Sequence, residues 1–390
     1  KKVPGLSFTA PGSGTVTAVE RAAKRALVSV VIQLDASGDE ARPLAAHSGR
    51  HPSACSGDEV RELLLESGLW TALRERPYGV VPAPDSAPRS IFVTAMDTNP
   101  LAPPTDLLLD GRGDDLERGL HALARLTQGP VYYCHADGDA PQLPSDERIR
   151  AEAFAGPHPA GTVGLHIHTL DPVHRDKRVW YVGLQDLLAI GRLFETGGVD
   201  VSRIVSLAGP AVTRPRLLRT RIGAAIDDLV QGELEPGRHR VISGSVLSGR
   251  TAMGGAAGFL GRYHQQVSVL AEGDERRFIG WLAPGADRFS TSSAFLSKLL
   301  PGRRFAMTTT TWGSDRAIVP IGLYEKVMPL DLEPSFLLKA LVTGDVDRAE
   351  ELGALELEEE DLALLTFVCP SKDDFGLHLR AVLDTLEKEG

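Results

Sequence analysis

Ile91-Phe92-Val93-Thr94-Ala95 is a short apolar run with a single threonine in it, followed by Met96-Asp97-Thr98-Asn99-Pro100. It is entered from a Pro-rich stretch (Pro77, Pro82, Pro84, Pro88), and its length and composition predict a strand buried on both faces. Asp115 to Leu126 then places apolar residues at helical spacing, and Val131-Tyr132-Tyr133-Cys134 is a second buried strand. Strand, helix and strand in this order predict a parallel α/β layer. Upstream, Asp58 is expected to cap a helix whose apolar face is Val60, Leu63 and Leu64, with Leu65 beside them. Downstream, Val163 to His168 and Val179 to Val182 read as further strands and Leu184 to Phe194 as a helix. The layer therefore runs from about residue 57 to 195.

On the N-terminal side, Phe8 to Val16 sets glycines and a proline among β-branched residues, predicting a strand, a tight turn and another strand. Leu27 to Ile32 follows the polar stretch Glu20 to Arg25 as a further strand, and together they suit half of a biotinyl/lipoyl-type barrel. Lys24 lies between Ala23 and Arg25 without the flanking motif of a carrier lysine, which disfavours covalent biotin or lipoate. On the C-terminal side, Ile204 to Leu207, the turn Ala208-Gly209-Pro210, Pro215 to Thr220, a helix Ala224 to Val230 and Val241-Ile242 suit a β-grasp unit. Residues 259–325 read as mixed strand and loop. Pro334–Val342, Val346–Leu352, Glu359–Phe367 and Leu377–Glu389 read as helices of a C-terminal domain.

The 390 residues suggest two or three domains at roughly 150 residues each. Apolar residues at 42 % and charged residues at 24 % are globular values. No run approaches the ~20 apolar residues of a bilayer-spanning helix. Lys and Arg number 42 and Asp and Glu 52, a net charge of −10, and without a basic stripe nucleic acid is a poor partner. Three scattered cysteines (Cys55, Cys134, Cys369) cannot frame disulfides, which favours a reducing compartment, and they are too few for an all-cysteine iron–sulfur cluster. The chain begins at Lys1 rather than Met with no apolar leader behind it, so a natural N-terminal segment is expected to be missing, whereas the polar tail Leu386 to Gly390 reads as a natural end.

Few motifs carry chemistry. Gly254-Gly255-Ala256-Ala257-Gly258 runs toward the strand-like Tyr263 to Val267 rather than into a helix, so a flexible connection explains it better than a phosphate loop. No G-x-S-x-G, Walker or H-E-x-x-H pattern occurs. His166 and His168, on a strand, would share one face, with His158 before them and Asp171 and His174 after. A metal site is the weaker reading of this group, and hydrogen-bonded histidines at a domain junction the simpler one. A quinone pocket can use His158, His166 and His168, because a quinone carbonyl needs donors whose protons can be replaced.

The sharpest signal is a motif without its ligands. A [4Fe–4S] site is written C-x2-C-x2-C-x3-C-P. Counting back from Cys369-Pro370, the other ligand positions hold Glu359, Leu362 and Leu365. A second copy ending at Met328-Pro329 has Ile318, Ile321 and Tyr324. Aliphatic side chains cannot donate to iron, so apolar groups are expected to fill both cavities, with Leu362, Leu365, Ile321 and Met328 pointing inward. The acidic run Glu356 to Asp361 is expected to be a solvated helix start favoured by the helix dipole, with sodium attraction the weaker alternative.

Over nearly its whole length the chain resembles the NqrA family, the A subunits of the bacterial sodium-translocating NADH:quinone oxidoreductase, a membrane complex related to the Rnf complexes. The strings that carry the resemblance are Phe8 to Pro11, Lys24 to Ile32, Ile91 to Leu101, His158 to His168, Ala208 to Pro210, Tyr324 to Asp331, Glu359 to Ala363 and Phe367 to Pro370. The resemblance implies a multidomain α/β chain: a barrel-sandwich part over 1–50, a Rossmann-like domain over 51–198, a soluble-ligand-binding (SLBB-like) β-grasp domain over 199–258, the mixed segment 259–325 and a helical domain over 326–390 with a degenerate ferredoxin-like motif. It is distantly similar to the Rnf C subunit and the flavin subunit of respiratory complex I. Where those carry a glycine-rich flavin loop, this chain has Ser67 to Pro77 with bulky Trp70 and Leu73.

The family therefore implies a peripheral subunit on the cytoplasmic side of the inner membrane that contributes to ubiquinone reduction coupled to sodium export and has no redox cofactor of its own. FMN, FAD, riboflavin and iron–sulfur centres are expected on the other subunits, B to F, of which the membrane-embedded B subunit is the expected neighbour. The alternatives are a purely structural docking subunit, which ubiquinone titration distinguishes, and a soluble flavin- or NADH-binding dehydrogenase, which a colourless protein would eliminate.

Overall fold

Residues 4–38, 44, 48–138, 141–273, 284–291, 295–300, 302–314 and 316–389 are described in the structure, a computed structural model. At the N-terminus, β1 (Gly14–Arg21) and β2 (Leu27–Leu34) pair as one antiparallel hairpin. Phe8 to Val16 does not hold two strands: Pro11-Gly12-Ser13 bends the chain without reversing it, and a single strand continues through Glu20. Val16, Val19, Leu27, Val28 and Val30 of the hairpin are exposed.

Next come α1 (Gly57–Glu66), β3 (Arg74–Arg76), β4 (Ile91–Ala95), α2 (Thr105–Leu109), α3 (Gly113–Leu126), β5 (Val131–Ala136), β6 (Ile149–Phe154), α4 (Val163–Leu170), β7 (Val179–Gly183) and α5 (Leu184–Thr196). The sheet order is β3-β7-β4-β5-β6, parallel except for β3, which runs antiparallel to β7. Ser56, not Asp58, caps α1, in a reciprocal capping box with Glu59. Val60, Leu63 and Leu64 are fully buried as their spacing requires, and Leu65 packs at the core's edge. Trp70 and Trp180 meet edge-on inside this core, 5.3 Å apart, and Trp70 Nε1 donates to Pro82 O.

Val163 to His168 is the first turns of helix α4, not a strand. An apolar run this short has no decisive period, and here Gly164 settles the packing. The Asp361 carboxylate lies so close to its backbone that a Cβ would come within 2.1 Å of Oδ1.

The β-grasp unit contains β8 (Ser202–Ala208), β9 (Arg216–Arg221), α6 (Ile226–Val230), β10 (His239–Ser243), β11 (Arg250–Thr251) and β12 (Gln266–Ala271). Its sheet order is β11-β10-β12-β8-β9, with β12 parallel to β8. The β12 strand, which sequence puts in the mixed segment, lies within this sheet. Ile226 and Val230 of α6 close the core over Val205, Leu207, Val267 and Val269.

The C-terminal helices α7 (Pro334–Thr343), α8 (Val346–Glu351), α9 (Glu359–Val368) and α10 (Phe375–Glu389) follow the sequence reading closely. Their core takes in Tyr324, Met328, Leu362, Leu365 and Cys369, with Ile318 packed partly against it. Ile321 departs from expectation: at 58 % exposed it points to solvent, because it sits in an irregular turn rather than on an inward face. Glu359 lies at the domain surface and forms a two-pronged pair with Arg380, both contacts 2.7 Å. Cys369 Sγ is 3.3 Å from the Tyr324 hydroxyl and 3.1 Å from Ser371 Oγ. The fourth position of one motif copy thus meets a ligand position of the other, the cross-pairing that two-cluster ferredoxin motifs use. Among the described residues no helix is long and apolar enough to cross a membrane.

Candidate functional site

Open α/β sheets bind ligands beyond the carboxyl ends of their strands, where the strand order reverses. Here β4 has its successor β5 on one side and β7 on the other, so the reversal lies between β4 and β7. A cleft of about 310 Å³ opens there. Thr94 to Asp97 and Tyr181 to Gly183 form its base, Arg262 to Gln266 of the β-grasp unit one wall, and Glu358 to Glu360 at the start of α9 another. All three folded units after the hairpin therefore contribute to it.

The acidic wall is solvated only in part. Glu358 and Asp361 are buried and cap α9 reciprocally, Glu358 N–H donating to Asp361 Oδ2 at 2.8 Å. Arg76, fully buried on β3, donates to Asp361 Oδ2 at 2.9 Å and to Glu356 O at 2.8 Å, and its Nε faces Glu358 Oε1 at 3.3 Å. Tyr181 donates to Glu358 Oε2 at 2.6 Å. The helix start that local charge marks as exposed is thus held by cations nearly 300 residues earlier in the chain. Burial is the larger influence on Asp361 and pushes its carboxyl up, against the pull of Arg76.

Two further acids line the cleft. Asp97 Oδ1 accepts from Asn99 N–H at 2.8 Å and from its side-chain amide at 3.0 Å, and the same amide donates to Glu360 Oε1 at 3.1 Å. Asn99 Oδ1 is buried without a partner. Burial first, then Asp361, pushes Glu360 up to about 7. On the opposite wall, Arg262 pairs with Asp186 at 2.9 Å, Arg74 lies over the Tyr263 ring at 4.8 Å, and Tyr263 donates to Thr71 O at 2.9 Å. His264 Nδ1 is 2.8 Å from Ser243 Oγ, and burial lowers its pKa to about 4, so it is neutral.

Glu360 gives a pH prediction. The folded chain keeps this proton to about pH 7, whereas an unfolded glutamate releases it near 4.5. Through that window the folded state holds more protons, so this group's contribution to stability falls as pH rises. Glu360→Gln mimics the protonated form and removes the loss. Urea unfolding should show little difference from the parent protein at about pH 4 and a clear gain for the variant at about pH 8. A difference that does not change with pH would contradict the buried carboxyl.

The histidines expected at a quinone site sit around this cleft rather than in it. On helix α4, His166 and His168 are two positions apart and so point to different sides. His166 is buried, its Nε2 3.0 Å from Ala160 O and its ring against Phe154, and burial lowers its pKa to about 4. His168 joins Glu356 at 2.7 Å and Asp331 N–H at 3.1 Å, tying α4 to the helical domain. His158 Nδ1 lies 3.3 Å from Thr98 Oγ1, which also accepts from Gly161 N–H at the cleft's edge. Sequence reading misses Arg262 to Gln265, because it runs the strand from Tyr263 whereas β12 begins at Gln266 and leaves those side chains on the cleft wall.

Comparison with known proteins supplies the family. Models of the NqrA N-terminal barrel-sandwich hybrid domain, the NqrA second alpha/beta domain and the NQRA C-terminal domain match residues 1–35, 55–199 and 204–254. The A subunit of the Na(+)-translocating NADH-quinone reductase of Shewanella amazonensis is 52 % identical over all of this chain and 86 % of its own length. That of Saccharophagus degradans is 50 % identical, over all of this chain and 87 % of its own. Among solved structures, a NAD+-reducing [NiFe]-hydrogenase chain aligns at 16 % identity over 57 % of this chain and 48 % of its own, with a TM-score of 0.41.

Proposed function

Because the chain belongs to the NqrA family, the A subunits of the Na(+)-translocating NADH-quinone reductase, we propose that within that complex it helps to hold ubiquinone while neighbouring subunits deliver electrons. In this reading it docks at the cytoplasmic face of the inner membrane beside the B subunit. FMN, FAD, riboflavin and iron–sulfur centres reside on the other subunits. Reduction of the quinone takes up two electrons and two protons, and this chain's part is to bind, orient and exchange protons.

The cleft between β4 and β7 is the observation that supports the reading. A quinone head group presents two carbonyl acceptors, and Arg262, His264 and Gln265 line one wall with donor groups. Glu360 on the other wall holds a proton near neutral pH. Fully buried Trp70 and Leu73 pack the turn after α1 with side chains, which leaves no glycine cradle for a flavin phosphate. His158, beside Thr98 at the rim, stays a candidate donor, while His166 and His168 brace α4.

Equilibrium dialysis of the purified chain against a short-chain ubiquinone tests this. Saturable binding is expected, weakened about tenfold by Arg262→Gln, the value of one hydrogen bond from a charged donor. Absence of saturable binding would favour the second reading, a docking subunit, which the exposed apolar hairpin β1–β2 supports.

A further inference from the structure

His51 and the outer face of α3 carry a constellation that the cleft does not use. Glu117 and His121 lie one helical turn apart on α3 and share a face. His51, in the connection entering α1, folds against them. His51 Nε2 and His121 Nε2 each lie 3.9 Å from the same oxygen, Glu117 Oε1, and one donor atom from each of the three falls within 4.8 Å of the others. The two imidazoles meet edge-on with ring centres 5.2 Å apart. Among the described residues, this is the one group of three His, Cys, Asp or Glu side chains so gathered. The candidates from sequence, His158, His166, His168, Asp171 and His174, do not gather in this way.

Ion pairing is a weak account of the trio. Pairs this long add little to stability, and two adjacent imidazoles repel each other when both are charged. Coordination uses all three groups together. We propose that His51, Glu117 and His121 bind a zinc-class divalent ion that fastens the connection between the hairpin and the α/β layer onto α3, with water in the fourth coordination position.

The geometry needs little adjustment. Tetrahedral zinc with bonds of about 2.0–2.1 Å sets its donor atoms roughly 3.3 Å apart. Each histidine nitrogen must therefore approach the glutamate oxygen by about 0.6 Å, within reach of small side-chain rotations. His51 is 37 % exposed and Glu117 50 %, so an ion can enter from solvent. An outer partner is already in place. Metal on His51 Nε2 requires the proton on Nδ1, which Ser53 Oγ, 2.7 Å away, can accept in exchange for the 3.3 Å bond that Nδ1 now accepts from Ser53 N–H. The set of two histidines and one carboxylate matches zinc and its first-row neighbours rather than calcium or magnesium, which take oxygen ligands.

The full purified chain, stripped of metal, would be titrated with Zn²⁺ in competition with a chromophoric chelator. One equivalent should bind saturably. His51→Ala, Glu117→Ala and His121→Ala should each weaken binding by at least the ~10–100-fold that loss of even an outer-shell partner costs, while His174→Ala leaves it unchanged. Amide exchange over residues 48–56 should slow when Zn²⁺ is added, and not in His51→Ala. His51 and Glu117 lie at the surface, so the metal-free melting curves of their variants are expected to match the parent's and separate ligand loss from misfolding; His121, 13 % exposed, is tested also as His121→Gln, which keeps most of its packing. No saturable Zn²⁺ binding, or binding that survives the three substitutions, overturns the site. Loss with His121→Ala but not with His51→Ala overturns the fastening of the connection.

Discussion

Arg76→Met is expected to destabilise the protein by about 3–5 kcal/mol, the cost of leaving a buried charge without its partner. The guanidinium is fully buried and is shared by Asp361, Glu358 and the carbonyl of Glu356. Methionine fills much of the volume, so the lost packing is small. What remains is Asp361, buried without its cation, and Glu358, to which Tyr181 still donates and beside which Arg74 stays at 3.7 Å. Asp361 cannot be rescued cheaply, because Gly164 brings backbone against its carboxylate, whereas Glu358 keeps Arg74 at 3.7 Å and opens onto the cleft. The check is urea unfolding at neutral pH. Adding Asp361→Asn to Arg76→Met should recover part of the loss, since it removes the stranded charge. A midpoint unmoved by Arg76→Met would mean that water reaches the acids and the pair is not buried.

The same residues show how far the sequence can be read. Helices α7 to α10 follow from local pattern alone: apolar residues recur at helical spacing, with Pro334 opening the first of them and Gly344 ending it. The parallel strands follow from length and apolar content. The acidic wall does not, because its solvation is decided by Arg74 and Arg76 on a strand that precedes it by nearly 300 residues. Helix α4 escapes for a related reason. Val163 to His168 has too short a period to choose between strand and helix, and contact with Asp361 is non-local. The cleft has no local signature at all, since its walls come from β4, β7, the β12 approach and α9. His51 is likewise invisible beside Glu117 and His121 until the chain folds, although the i, i+4 pair is legible on its own.

Leu365→Ala should cost about 2–5 kcal/mol, whereas Ile321→Ala should move stability by less than about 0.5 kcal/mol. Both occupy positions where the cluster motif would have a cysteine, so motif logic alone assigns them equal weight. Packing does not. Leu365 is fully buried in the helical core with Leu362, Tyr324 and Cys369, and its removal leaves a void lined by rigid neighbours. Tyr324 cannot swing in to fill it without giving up its contact with Cys369 and its edge-on packing against Phe375, whose ring centre is 5.7 Å away. Ile321 is already 58 % in water, so little apolar area is at stake. Thermal or urea unfolding of the two variants side by side measures the contrast directly. Equal effects would mean that both positions are buried, and that the second motif copy is filled as completely as the first. The expected inequality says that the two segments pack differently. Around Leu362, Leu365 and Cys369, hydrocarbon and a thiol close the core. In the other segment Tyr324 and Met328 lie in that core while Ile321 faces outward, because an irregular turn needs only enough of its side chains inside to keep water out.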